Sequence, residues 1–233
     1  MGATSGIGME IAKLCIAAGW RVGIAGRRAE PLEKLRMSAP SQVVAGCIDI
    51  TRESSATELI RLVEKLGGMD IYCHVSGIGA QNPTLDPAVE LRTMETNVMG
   101  FTRMITAAYN YFARQGSGHI AVITSIAGTK GLGTATAYSA SKRMQNTYLD
   151  ALSQLSHMRK LSFSGYRAPS PPGNYRLEIL CFGILLASHS CGIVGANAGQ
   201  CNKKRMIISF MKEKSRVICL PGIFSKYTVT FCC

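Results

Sequence analysis

Between residues 1 and 158 the apolar pattern of the chain keeps changing period. Short apolar runs at residues 21–26, 43–49, 69–75 and 119–124 read as strands. Between them, apolar residues recur at helical spacing. Ile7, Ile11, Leu14, Cys15 and Ala18 form the first stripe, and a short helix is expected at 31–37. Leu59, Leu62, Val63 and Leu66 mark a helix over 51–66, and a long helical run at about 87–114 carries Asn97 in its middle. The last helix, at 134–158, presents Ala137, Met144, Tyr148, Ala151, Leu152 and Leu155 on its stripe. Alternation of this kind predicts an α/β fold, a Rossmann-like doubly wound parallel sheet covered on both faces. Ligands of such sheets bind beyond the carboxyl ends of the strands.

Several chemistry-bearing residues fall at that end. Gly2-Ala3-Thr4-Ser5-Gly6-Ile7-Gly8 opens the first helix. A glycine-rich turn there lets backbone N–H groups approach a pyrophosphate at the positive end of the helix dipole. Taken alone, the same run is equally a tight turn of small residues. In a dinucleotide-binding unit such a loop follows a strand. None precedes it in this sequence, so the middle strand of the sheet is expected to be missing. Strand 21–26 ends in Gly26-Arg27-Arg28, where an NAD-selective site commonly carries an acidic side chain. Two arginines suit a 2′-phosphate, or else form a solvated basic turn. Asp49, Gly77 and Ser125 follow at the ends of later strands.

On the last helix, Tyr138 and Lys142 stand four residues apart and share a face. An ammonium beside a phenol favours the phenolate, which would make Tyr138 usable as a general acid or base near neutral pH. The bland reading is a half-buried tyrosine with a surface lysine, and by the same token Ser125 could be a cap and Asn97 an ordinary helical residue.

Taken together these residues resemble the short-chain dehydrogenase/reductase family over about residues 2–160. Gly2, Gly6 and Gly8 look like its T-G-x-x-x-G-x-G loop, with Met1 where Thr is usual. Asp49-Ile50 resembles its adenine-contacting pair. His74-Val75-Ser76-Gly77 stands in place of N-N-A-G and keeps only the glycine. Asn97-Val98-Met99-Gly100 resembles the active-site Asn segment, and Ser125 lies 28 residues after Asn97 and 13 before Tyr138, the order and spacing the family shows. The resemblance implies an NADP-dependent oxidoreductase that exchanges a hydride between nicotinamide and a carbonyl or alcohol. Its catalytic tetrad would be Asn97, Ser125, Tyr138 and Lys142. The cofactor, NADP(H) in preference to NAD(H), would be held by Gly2, Thr4, Ser5, Gly6, Ile7, Gly8, Arg27, Arg28, Asp49, Ile50, Gly77, Asn97, Tyr138 and Lys142. In the family the Asn supports a water that links the Lys to solvent.

Beyond residue 160 the pattern changes. Residues 1–160 hold 17 Lys+Arg against 12 Asp+Glu, whereas residues 161–233 hold 9 against only Glu178 and Glu213. Six of the 9 cysteines, Cys181, Cys191, Cys201, Cys219, Cys232 and Cys233, also lie there. Residues 165–173 read as a poor strand because prolines remove ladder donors, and Pro172-Gly173 only superficially echoes a family turn. The expected organisation is an incomplete Rossmann domain at 1–160 and an atypical basic, Cys-rich tail at 161–233. The tail would be an out-of-frame continuation, and Met1 an internal start. An inactive relic that at most binds dinucleotide is the alternative function. A homo-oligomer is expected if the fold is complete.

The net charge of +12 is too scattered, and too little interleaved with aromatics, for a nucleic-acid platform. Residues 179–199 are apolar but contain Ser188, His189, Ser190 and Asn197 and fall short of a membrane span. No metal-ligand spacing appears, and Cys15, Cys47 and Cys73 read as small core residues. Met1 is followed by neither a basic region nor an apolar run, so no signal peptide is expected, and a reducing cytoplasmic setting is the default.

Overall fold

A computed structural model describes residue 3, residues 6–156, and the backbone of the strands at 161–168 and 205–210. The elements run α1 (Gly6–Ala17), β1 (Arg21–Gly26), α2 (Ala29–Ser38), β2 (Val43–Cys47), α3 (Ser55–Leu66) and β3 (Ile71–Val75). They continue with α4 (Pro87–Met94), a π-turn (Glu95–Gly100), α5 (Phe101–Gln115), β4 (Gly118–Ser125), a 3₁₀ turn (Ile126–Gly128), α6 (Thr136–Ser156), β5 (Leu161–Ala168) and β6 (Arg205–Phe210).

The strands form one six-stranded sheet in the order β2-β1-β6-β3-β4-β5, parallel at every pairing. Central parallel strands are buried on both faces and need apolar residues throughout. All of Ile71–Val75 is buried, as are Val22–Gly26 and seven of the eight residues of β4. One face is packed by α1 and α2 through Ile11, Ala12, Cys15, Leu32 and Leu35. The other is packed by α3, α5 and α6 through Leu59, Leu62, Phe101, Ile105, Phe112 and Leu149. The expected doubly wound sheet is therefore present.

Three expectations need correction. Leu161–Ala168 is a strand, paired in parallel with β4 along its whole length from Gly118↔Leu161 to Ser125↔Ala168. The first proline, Pro169, lies one residue past its end, and an edge strand has only one ladder to satisfy. The slot between β1 and β3, expected to be vacant, is taken by β6, with Gly23↔Ile207 on one side and Tyr72↔Ile207 on the other. No strand precedes α1 among the described residues, and the neighbours of the gap find their backbone partners in the tail. Cys47 is exposed, because it ends an edge strand that emerges from the core; Cys15 and Cys73 are buried as read. Burial pushes the Cys15 thiol up to about 12.

No helix among the described residues is long and apolar enough to cross a membrane, and those residues hold no cluster of side chains that could bind a metal ion. The apolar stretch at 179–199, the Pro172-Gly173 turn and six of the nine cysteines lie outside the described residues.

Candidate active site

The π-turn breaks the long helix at the position of Asn97, whose side chain is wholly buried. Its amide fastens the loop after β3: Asn97 Oδ1 accepts from the Ile78 N–H at 2.8 Å, and Nδ2 donates to the Ile78 carbonyl at 2.7 Å and to Ser141 Oγ at 3.1 Å. Asn97 thus joins three elements, the π-turn, the β3 loop and α6. Such π-turns disturb the regular ladder and recur at functional sites.

Helix α6 is held at its start. The Glu90 carboxylate accepts from the Ala137 N–H at 2.9 Å, a negative group at the positive end of the helix dipole, and from Asn82 Nδ2 at 2.9 Å. The Asn82 N–H donates to the Thr134 carbonyl at 2.7 Å. These bonds fix the first turn, which carries Tyr138. Ser125 arrives from the carboxyl end of β4. Its Oγ accepts from the Ala127 N–H at 3.1 Å, capping the 3₁₀ turn, and its side chain also hydrogen-bonds Tyr138. Ser125 is therefore both the cap of the bland reading and a partner of the tyrosine.

Two glycines make room. A Cβ on Gly79 would lie 2.8 Å from the Tyr138 ring, and a Cβ on Gly77 would lie 3.3 Å from Asn97 Oδ1 and 3.4 Å from Lys142 Nζ. The loop after β3 can pass this close only because these positions carry no side chain.

The electrostatics depart from the simple picture of a lysine lowering a phenol. Burial holds the Tyr138 phenol above its ordinary value, and the Ser125 hydrogen bond pulls it part of the way back. Lys142 is 5% exposed, and its ammonium lies 5.9 Å from the centroid of the Tyr138 ring. It donates to the Ile123 carbonyl at 3.2 Å and to Gln145 Oε1 at 2.9 Å. Both acceptors are neutral, and burial lowers the Lys142 pKa to about 8. The expected shift of Tyr138 is thus reversed, because desolvation outweighs an ammonium whose own contacts turn it elsewhere. His74 is also buried, with Nδ1 3.0 Å from the Tyr72 hydroxyl and its ring edge-on to Phe101 at 5.1 Å. Burial, helped by the charge of Lys142, holds its pKa well below the usual range.

Asn97, Ser125, Tyr138, Lys142 and Gly77 are therefore brought together beyond the strand ends. Asp49 and Ile50 follow β2: Asp49 Oδ1 accepts from the Thr51 N–H at 3.1 Å and Thr51 Oγ1 at 2.9 Å, and Ile50 is buried. Arg27 and Arg28 are exposed in the turn after β1. Gly6, Ile7 and Gly8 form the first turn of α1, whereas Gly2, Thr4 and Ser5 lie outside the described residues. Sequence reasoning passed over Ser141, Gly79 and Gln145. Gln145, three residues after Lys142 on the same helical face, was the one that periodicity alone could have flagged.

Comparison with known proteins gives a consistent picture. Residues 1–165 match the family model described as short chain dehydrogenase. An uncharacterized oxidoreductase of Myxococcus xanthus is 32% identical over 157 residues, covering 65% of this chain and 62% of that protein. Dehydrogenase/reductase SDR family member 7B of Bos taurus is 31% identical over 163 residues, covering 65% of this chain and 50% of that one. The chain thus spans between half and two-thirds of the length of these relatives. Among solved structures, 7 alpha-hydroxysteroid dehydrogenase complexed with NADH and 7-oxo glycochenodeoxycholic acid superimposes with a TM-score of 0.66 at 26% identity, over 71% of this chain and 67% of its own. A variant of actinorhodin polyketide ketoreductase with NADPH gives a TM-score of 0.65 at 26% identity, over 70% and 66%.

Proposed function

The chain belongs to the short-chain dehydrogenase/reductase family, and we propose that it is an NAD(P)-dependent oxidoreductase acting on a small carbonyl or alcohol. The observation that carries this reading is the convergence of Tyr138, Lys142 and Asn97 on the side-chain-free loop of Gly77 and Gly79, with Ser125 delivered beside them by the carboxyl end of β4. A phenol kept protonated by burial can donate to a carbonyl oxygen, and a serine beside it can hold that oxygen in place.

The residues present fit a nicotinamide dinucleotide. Glycines 77 and 79 keep the space beside Asn97, Lys142 and Tyr138 free of side chains that would fill it. The first turn of α1, at Gly6–Gly8, offers backbone donors to a pyrophosphate. Asp49 and Ile50 would take the adenine end, and Arg27 and Arg28 a 2′-phosphate. When bound, the dinucleotide supplies or accepts the hydride. Tyr138 gives the proton to the substrate oxygen in reduction or takes it in oxidation. Ser125 orients that oxygen, Lys142 holds the ribose hydroxyls through its remaining ammonium donor, and Asn97 keeps the β3 loop and α6 in register.

Assay of NADPH oxidation against a panel of carbonyl compounds tests the reading. Tyr138→Phe is expected to lower kcat by roughly 100- to 10,000-fold with the NADPH dissociation constant little changed. NADPH binding without turnover by the natural chain would instead favour a dinucleotide-binding relic. The preference for NADP(H) rests on the exposed arginines. Replacing both with alanine is expected to weaken NADPH binding about tenfold or more while leaving NADH nearly unaffected.

A further inference from the structure

Gln145 lies one turn beyond Lys142 on α6 and is 0% exposed. Both ends of its side chain are engaged. Nε2 donates to the main-chain carbonyl of Asn97 at 2.8 Å, and Oε1 accepts from Lys142 Nζ at 2.9 Å. Only one orientation of the amide satisfies both partners, since a carbonyl can only accept and an ammonium can only donate. The Asn97 carbonyl belongs to the π-turn, where the helical ladder is irregular and a side-chain donor finds an acceptor.

We propose that Gln145 is a positioning residue that clamps the Lys142 ammonium to the Asn97 backbone and so directs its remaining donor toward the Gly77 and Tyr138 side of the site. The assignment rests on the reading of Lys142 as part of a cofactor site. Of the three donors of the ammonium, one goes to Ile123 on β4 and one to Gln145. Without the Gln145 acceptor the ammonium would be buried with a single carbonyl partner, a costly arrangement that a lysine escapes by losing its proton or swinging away. The clamp also spans the distance between lysine and Asn97 with a fixed side chain. An amide in this orientation accepts at one end and donates at the other, so it holds the lysine without carrying protons to or from it.

The test uses the full chain with labelled lysine, following the Lys142 side chain by nuclear magnetic resonance across a pH titration and assigning its signal by its absence in Lys142→Met. The neighbouring titratable groups, Tyr138 on α6 and His74 on β3, are common to all variants. Gln145→Leu removes the acceptor at nearly equal length. It is expected to lower the Lys142 midpoint by about one pH unit and to weaken NADPH binding about tenfold. Gln145→Glu places a carboxylate beside the ammonium and is expected to raise the midpoint by about one unit or more. A residue that only filled space would not move the lysine in opposite directions. Midpoints unchanged in both variants, or shifted in the same direction, overturn the proposal. If the leucine variant does not fold, the glutamate variant decides alone: an upward shift supports the clamp and its absence overturns it. Because the titration is read without cofactor, failure of the natural chain to bind NADPH overturns the cofactor reading and leaves this outcome standing.

Discussion

The two faces of the sheet are packed from different materials. Beneath α1 and α2 the core is made of small and aliphatic groups, among them Ala3, Ala12, Val22, Ile24, Leu32, Cys73 and Ala121. Beneath α3, α5 and α6 it contains the large rings Tyr72, Phe101 and Phe112. The buried polar groups of the site, Asn97, Lys142 and Gln145, lie on the helices of that second face, and His74 packs on Phe101 there. Buried polar groups tolerate little displacement, since each lost partner leaves an unsatisfied donor or acceptor. Rigid aromatic packing beside them is what such a cluster requires. The first face has only to carry the sheet and present the first turn of α1.

This division can be broken by truncating each face in turn. Phe101 is 0% exposed and meets His74 edge-on at 5.1 Å and Tyr148 at 5.7 Å. Phe101→Ala is expected to cost about 3–5 kcal/mol in a denaturant titration. It should also weaken NADPH binding, because the ring supports the strand and the π-turn that hold the site. Leu32→Ala, on the opposite face at 2% exposure, is expected to cost about 2–4 kcal/mol. The folded fraction should then bind NADPH within about twofold of the natural chain. Equal effects on binding would show that the faces are not divided in this way.

A smaller and more selective test is alkaline pH. On the site face the Lys142 pKa is lowered from 10.5 to about 8, so between those values the unfolded chain holds more protons than the folded one. This lysine therefore adds stability as pH rises through that window. On the other face the Cys15 thiol is raised from 9.0 to about 12, and burial raises Cys73 as well. The folded chain then holds the extra proton, and stability falls as pH rises above about 9. Denaturation midpoints measured across this range should lose the rising contribution in Lys142→Met and the falling one in Cys15→Ala. Either variant behaving as the natural chain would refute the assignment for its face.

Much of this was legible in the sequence, for identifiable reasons. Strand and helix periods are local, so β1 to β4 and the helices between them could be read directly, as could the spacing that unites Asn97, Ser125, Tyr138 and Lys142. What escaped was set by neighbours distant in sequence. Leu161–Ala168 is a strand because β4 offers it a free edge, and its own composition gave little sign of that. Cys47 looked like a core residue, and its place at the end of an edge strand exposes it. The sign of the Tyr138 shift depended on how deeply the ring is buried and on where the lysine finds acceptors, neither of which four-residue spacing contains.

The position of β6 carries one more consequence, in time rather than space. Arg21 pairs with Arg205 and Ile71 with Met206, so the centre of the sheet joins segments separated by most of the chain. At a synthesis rate of about 5–20 residues per second, the facing edges of β1 and β3 wait roughly six seconds or more after they emerge before their partner exists. Contacts of such long range are slow to form, and open strand edges invite pairing with other chains. Among the described residues the last strand to be made is the one that joins the two halves of the sheet, so the yield of native protein should depend on what occupies those edges in the interval.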